Sequence, residues 1–127
     1  MAVVAARAGE KRESSSEYCV ELGILNNMPD AALERTEQQF FALLTAAAQD
    51  LLVRVRFFSL STMRRDAFGH EHFKRNAYAP AVEIPARNLD ALIVTGTEPR
   101  APYLRMEPYW SELTDVLGSA ERDAQAN

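Results

Sequence analysis

Hydrophobic and polar positions follow two different rhythms along this chain. Cys19-Val20-Glu21-Leu22-Gly23-Ile24-Leu25 is a short apolar run with one charge, and Asn26-Asn27-Met28-Pro29-Asp30 breaks it. Past the break, Leu33, Glu37, Phe40, Phe41, Leu44 and Ala48 recur three or four residues apart, as on one face of a helix. The pattern predicts a strand over about 18–26 that delivers the chain through a turn into an amphipathic helix ending near Ala48. Pro29 suits the first helical turn, where a missing N–H costs nothing, and Asp30 and Glu34 complement the positive end of the helix dipole.

Residues 51–60 place apolar side chains at Val53, Val55 and Phe57 with arginines between, which predicts a half-buried strand near a sheet edge. Periodicity is poor over 61–85, read as a long excursion with one or two helical turns within 68–78. Residues 89–96 form a continuous apolar run that stops at Thr95-Gly96, the signature of a buried strand, expected at the centre of the sheet. Three prolines make 97–108 a loop, and Trp110, Leu113, Val116 and Leu117 share one face of a last helix over about 107–122, with 124–127 fraying. The small, charged and Ser-rich residues 1–17 are read as a disordered tail, leaving 18–127 as one α/β unit.

This order, with right-handed crossovers, predicts a parallel α/β sheet. Three strands are fewer than such a domain usually holds, and no strand follows the last helix, so the chain is expected to be the N-terminal half of a larger domain. The turns after its strands gather at the carboxyl edge of the sheet, where ligands bind and free helix N–H groups attract anions. Asn26 and Asn27 after the first strand, and Gly96, Thr97 and Arg100 after the last, are therefore the candidate substrate-binding residues.

Composition narrows the partners. The 127 residues fit one core, and a net charge of −4 offers no general attraction to nucleic acid or to anionic membranes. The single cysteine, Cys19, precludes an internal disulfide and a thiolate metal cluster, and is read as a small core residue. Ala2-Val3-Val4-Ala5-Ala6 is too short for a secretory segment and no window reaches about 18 apolar residues, so a cytoplasmic chain outside membranes is expected. His70 and His72, two apart, do not share a helix face, so no metal is expected. Arg54, Arg56, Arg64, Arg65, Lys74 and Arg75 are read as a solvated face. Glu37, next to an apolar face, is read as a buried polar contact that holds the Asn26 turn.

The runs Ile24-Leu25-Asn26-Asn27-Met28-Pro29, Arg35-Thr36-Glu37-Gln38-Gln39-Phe40, Asp90-Ala91-Leu92-Ile93-Val94-Thr95-Gly96 and Tyr109-Trp110 together resemble the homoserine O-succinyltransferase family. Four matches in order over about 90 residues cover nearly everything outside the tail. Two places depart from the family pattern: Asp30-Ala31 stands where many members carry lysines, and Thr97-Glu98-Pro99-Arg100 replaces an Ala-Pro-containing loop. The resemblance implies a flavodoxin-like, class I glutamine amidotransferase-like three-layer sandwich. It also implies acyl transfer from an acyl-CoA, succinyl-CoA, to the hydroxyl of homoserine in methionine biosynthesis, through a cysteine thioester aided by a His and a Glu.

In that family the cysteine follows the next strand, and the His and Glu come later, so no catalytic residue is expected among these 127. The implied role of the Gly96-Thr97 loop is to offer backbone N–H groups to an oxyanion. Arg100, in the stretch that departs from the family pattern, is read as a guanidinium able to grip the free carboxylate of a succinyl group bidentately. No bound cofactor is implied. Two other readings stand beside this one: a non-catalytic fragment or binding module, and a different amidotransferase-like enzyme. A chain ending at Asn127 would also leave a strand edge open, for which a homodimer is expected.

Overall fold

Both faces of a parallel sheet are covered, and the two apolar sets of each strand explain why. The structure, a computed structural model, describes residues 3–5 and 19–126, with side chains to residue 123. Its strands are β1 (Val3–Ala5), β2 (Cys19–Leu25), β3 (Leu52–Ser59), β4 (Ala79–Pro80) and β5 (Ala91–Val94). They pair in the order β1-β3-β2-β5, with β4 also on β3, and all pairings are parallel. The helices are α1 (Leu33–Ala48), α2 (Ala67–Arg75) and α3 (Trp110–Ala126), and short 3₁₀ turns occupy Asp30–Ala32, Ala81–Arg87 and Leu104–Met106.

Successive strand residues point to opposite faces. Leu22, Ile24, Val53, Val55 and Phe57 pack with Phe40, Phe41 and Leu44 of α1 on one side. Leu25, Phe58, Leu60, Ile84, Tyr109 and Val116 build a second core on the other, against α3 and the 3₁₀ turn at Ala81–Arg87. This is the helix–sheet–helix sandwich that the sequence leads one to expect. Gly23 leaves room for its neighbours: a Cβ there would stand 2.5 Å from Leu89 Cδ1 and 3.1 Å from Phe58 Cε2, so those side chains would have to shift.

Several expectations are corrected. Val3–Ala5, placed in the tail, pair with Val53–Val55 of β3; the rest of 1–17, and Tyr18, lie outside the described residues. With β1 and β4 on its far side, β3 is interior and buried on both faces, not a half-buried strand near the edge. Arg54 and Arg56 are consequently buried instead of solvated, with Arg54 3.5 Å from Glu21 on β2.

Conversely β5 is half-buried and, among the described residues, pairs on one side only, with β2. It is therefore an outer strand of the described sheet, because no described strand follows it. The excursion after β3 is more ordered than its weak periodicity suggests. Asp66 caps α2 by accepting from the N–H groups of Phe68 and Gly69, and nine residues of helix follow. α3 continues to Ala126, past the point where fraying was expected.

Because Leu89 and Phe58 close over Gly23, Gly23→Ala is expected to lower unfolding stability by about 1–3 kcal/mol through overpacking. Urea denaturation checks this, and an unchanged midpoint would contradict the close approach.

Candidate functional site

The carboxyl ends of β2, β3 and β5 open into a cleft of about 640 Å³, within the size range of small-molecule sites. Its walls come from three segments: Asn27–Asp30 after β2, Met63–Asp66 after β3, and Thr97–Tyr109 after β5. None of these segments is regular enough to hold itself in place, and each is fastened by polar side chains from another.

Arg65 is the main fastening. Its Nη1 donates to the Met28 carbonyl at 2.5 Å and to Asp30 Oδ1 at 2.9 Å, while Nη2 donates to the Asn26 carbonyl at 3.2 Å. The guanidinium also lies over the Phe73 ring, 5.1 Å from its centroid. Asp30 completes the tie by accepting from the Asp66 N–H at 2.9 Å. Gly69 makes room for it, since a Cβ there would fall 2.5 Å from Oδ1. Burial alone would raise the Asp30 carboxyl pKa, but the hydrogen bonds from Asp66 and Arg65 outweigh it and hold the carboxyl below its ordinary range.

The other two segments are tied by glutamates. Glu107 accepts from the N–H groups of Arg100 at 2.5 Å and Ala101 at 2.7 Å, which fixes the proline-rich loop and lowers the glutamate's pKa. Glu112, on α3, accepts from the backbone and hydroxyl groups of Ser61 and Thr62 at 2.7–3.1 Å. These bonds outweigh its partial burial and lower its pKa. Thr95 closes the ring by accepting the Asn27 N–H at 2.7 Å.

Of the candidate residues, Asn27, Thr97 and Arg100 line the cleft, and Arg100 and Arg64 are its exposed cations. Asn26 does not. It is fully buried beneath the cleft, where its side chain accepts the Met28 N–H and donates to Tyr78 Oη at 2.9 Å. Gly96 is exposed and absent from the lining, with nothing within 4 Å of where a Cβ would stand, so no packing demands a glycine there. Glu37 occupies the place its sequence context suggests. It accepts from Tyr78 Oη and meets His72 Nε2, both at 2.5 Å, and through Tyr78 it supports Asn26. Burial, then the bond to Glu37, pushes the Tyr78 pKa well up.

Cys19 is buried at the opposite end of β2 from the cleft. Among the described residues no group of His, Cys, Asp and Glu is arranged to hold a metal ion. No helix among them is long and apolar enough to cross a membrane.

Sequence reasoning missed Arg65, Asp30 as its partner, Glu107 and Tyr109. Arg65 and Asp30 stand 35 residues apart in sequence. The one local signal was Asp66 before Phe68-Gly69, an N-cap pattern that makes the preceding arginine part of a fixed helix entrance.

The comparisons with known proteins agree with the geometry. A family model for homoserine O-succinyltransferase matches residues 3–126. The chain belongs to the homoserine O-succinyltransferase family. It is 40% identical over 113 residues to the homoserine O-succinyltransferase of Rhodopseudomonas palustris, across 89% of this chain and 34% of that protein. It is 34% identical over 121 residues to that of Bradyrhizobium japonicum, across 94% of this chain and 37% of the relative. With that of Nitrosococcus oceani it shares 38% identity over 101 residues, across 80% and 28% of the two lengths. The chain thus spans about a third of the length of these family members.

Asp30, Glu107 and Glu112 each bind a proton less readily folded than unfolded. Their contribution to stability is complete above the ordinary carboxylate pKa of about 4 and is lost as pH falls through the depressed folded values. Stability is therefore expected to fall below pH of about 4, less steeply in Glu107→Gln. Denaturant midpoints measured from pH 6 to pH 2.5 check this, and identical slopes in the two proteins would contradict it.

Proposed function

We propose that this chain forms one wall of the site in an acyltransferase that moves the succinyl group of succinyl-CoA to the hydroxyl of homoserine, in methionine biosynthesis. The observation that most supports this is the family match over residues 3–126, which includes all three segments of the cleft. The cytoplasm, where acyl-CoA thioesters are found, is the proposed location.

The residues of this chain recognise and orient. Arg100, held at its own N–H by Glu107, reaches into the cleft mouth with a fork of donors that matches the free carboxylate of the succinyl group. The open space around Gly96 lets a substrate approach the backbone after β5, where N–H groups stabilise the oxyanion formed when the thioester carbonyl is attacked. Cys19 lies at the wrong end of β2 to be the nucleophile. On this reading the attacking cysteine, with its His and Glu, belongs to the two thirds of the relatives' length that this chain does not span. The one-sided pairing of β5 is where further strands, or a second copy, would join the sheet.

In protein purified from its own source, CoA release from succinyl-CoA should depend on homoserine. Arg100→Ala should raise the KM for succinyl-CoA by roughly 10- to 100-fold, the loss of a charged hydrogen-bond pair, with a smaller change in kcat. Folded protein that releases no CoA would contradict the function. An unchanged KM in the variant would remove Arg100 from donor recognition.

A further inference from the structure

Buried polar side-chain atoms are nearly always hydrogen-bonded. Among the described residues, three are not: Asn27 Oδ1, Arg65 Nε and Tyr109 Oη. All three residues line the same cleft. The side chains are deeply buried, with Asn27 2% exposed, Tyr109 4% and the Arg65 side chain 3%. Their convergence on the wall of one cavity, instead of a scatter through the core, gives that wall unused hydrogen-bonding capacity.

The chemistry of the three atoms restricts which ligand would use that capacity. The Asn27 amide is oriented by its own Nδ2, which donates to the Thr95 carbonyl at 3.4 Å, so Oδ1 is left as an acceptor. Arg65 spends both Nη atoms on the turn and offers Nε–H as a donor. The Tyr109 hydroxyl can do either, and burial followed by the neighbouring Glu107 charge raises its pKa, so it carries its proton. A satisfying ligand must therefore present an N–H or O–H together with carbonyl oxygens. An ammonium is a poor match for Oδ1, because the Arg65 charge bonds the carbonyls on both sides of Asn27. A neutral secondary amide supplies both halves without that repulsion.

We propose that the cleft floor holds the amide-bearing pantetheine arm of the acyl-thioester donor through Asn27, Arg65 and Tyr109, which rests on the reading that the donor is an acyl-CoA. The methylenes of that arm run past Met28, Met63 and Met106, flexible apolar side chains in the same lining. The exposed Arg64 and Arg100 at the mouth meet the anionic ends of the donor.

Calorimetric titration of the protein purified from its own source, with pantetheine and separately with homoserine, tests this on wild type and Tyr109→Phe. The Tyr109→Phe variant should bind pantetheine roughly 3- to 10-fold more weakly. Its melting temperature should be unchanged or higher, because the hydroxyl has no partner within the protein to lose. Equal pantetheine affinity in the two proteins, or a loss confined to homoserine, would overturn the proposal. Tyr109-dependent pantetheine binding without homoserine-dependent CoA release would support the arm site while overturning the acceptor reaction. Release with an unaltered KM for succinyl-CoA in Tyr109→Phe would overturn the arm site and leave the reaction standing.

Discussion

The cleft depends on one buried cation. A guanidinium removed from water is costly unless its donors are matched, and Arg65 meets that cost with two backbone carbonyls, a carboxylate and an aromatic face. The carbonyls and the carboxylate belong to the turn after β2, while Arg65 stands at the entrance to α2, the helix that also carries Phe73. The charge therefore joins two segments that no apolar contact would position accurately. Apolar burial sets the sheet and its two covering layers, and this polar joint sets the geometry of the carboxyl edge.

The same logic recurs around the rim. Glu107 turns a stretch with three prolines into a fixed wall by gripping two consecutive N–H groups. Glu112 anchors the loop after β3 to α3, and Thr95 anchors Asn27 to β5. Beneath them the chain Asn26, Tyr78, Glu37 and His72 supports the turn from the α1 side, with Tyr78 stacked on Phe57 at 5.3 Å. A site assembled from such ties is organised before a ligand arrives, which lowers the ordering cost of binding.

The elements with strong local signals were legible in the sequence. The apolar run of β2, the period of α1 and the abrupt stop after β5 each read correctly, and together they place Asn27, Thr97 and Arg100 at one edge. Glu37 was legible as well, because a carboxylate beside an apolar stripe must find a partner. The neighbours of β3 were not legible: three residues of β1 carry too little pattern to be seen, and without them β3 looks like an edge. The Arg65 tie was illegible for a related reason. An arginine next to Arg64 and Asp66 looks solvated until the fold brings in Asp30 and the carbonyls of Asn26 and Met28.

Amide hydrogen exchange in wild type and in Arg65→Met tests the central claim most directly. If Arg65 organises the edge, the amides of Met28 and Asp66 should lose protection in the variant, while those of Ile24 and Val55 in the sheet retain theirs. Protection that is unchanged at Met28 and Asp66, or that falls equally throughout the sheet, would contradict the claim that this cation holds the cleft apart from the fold.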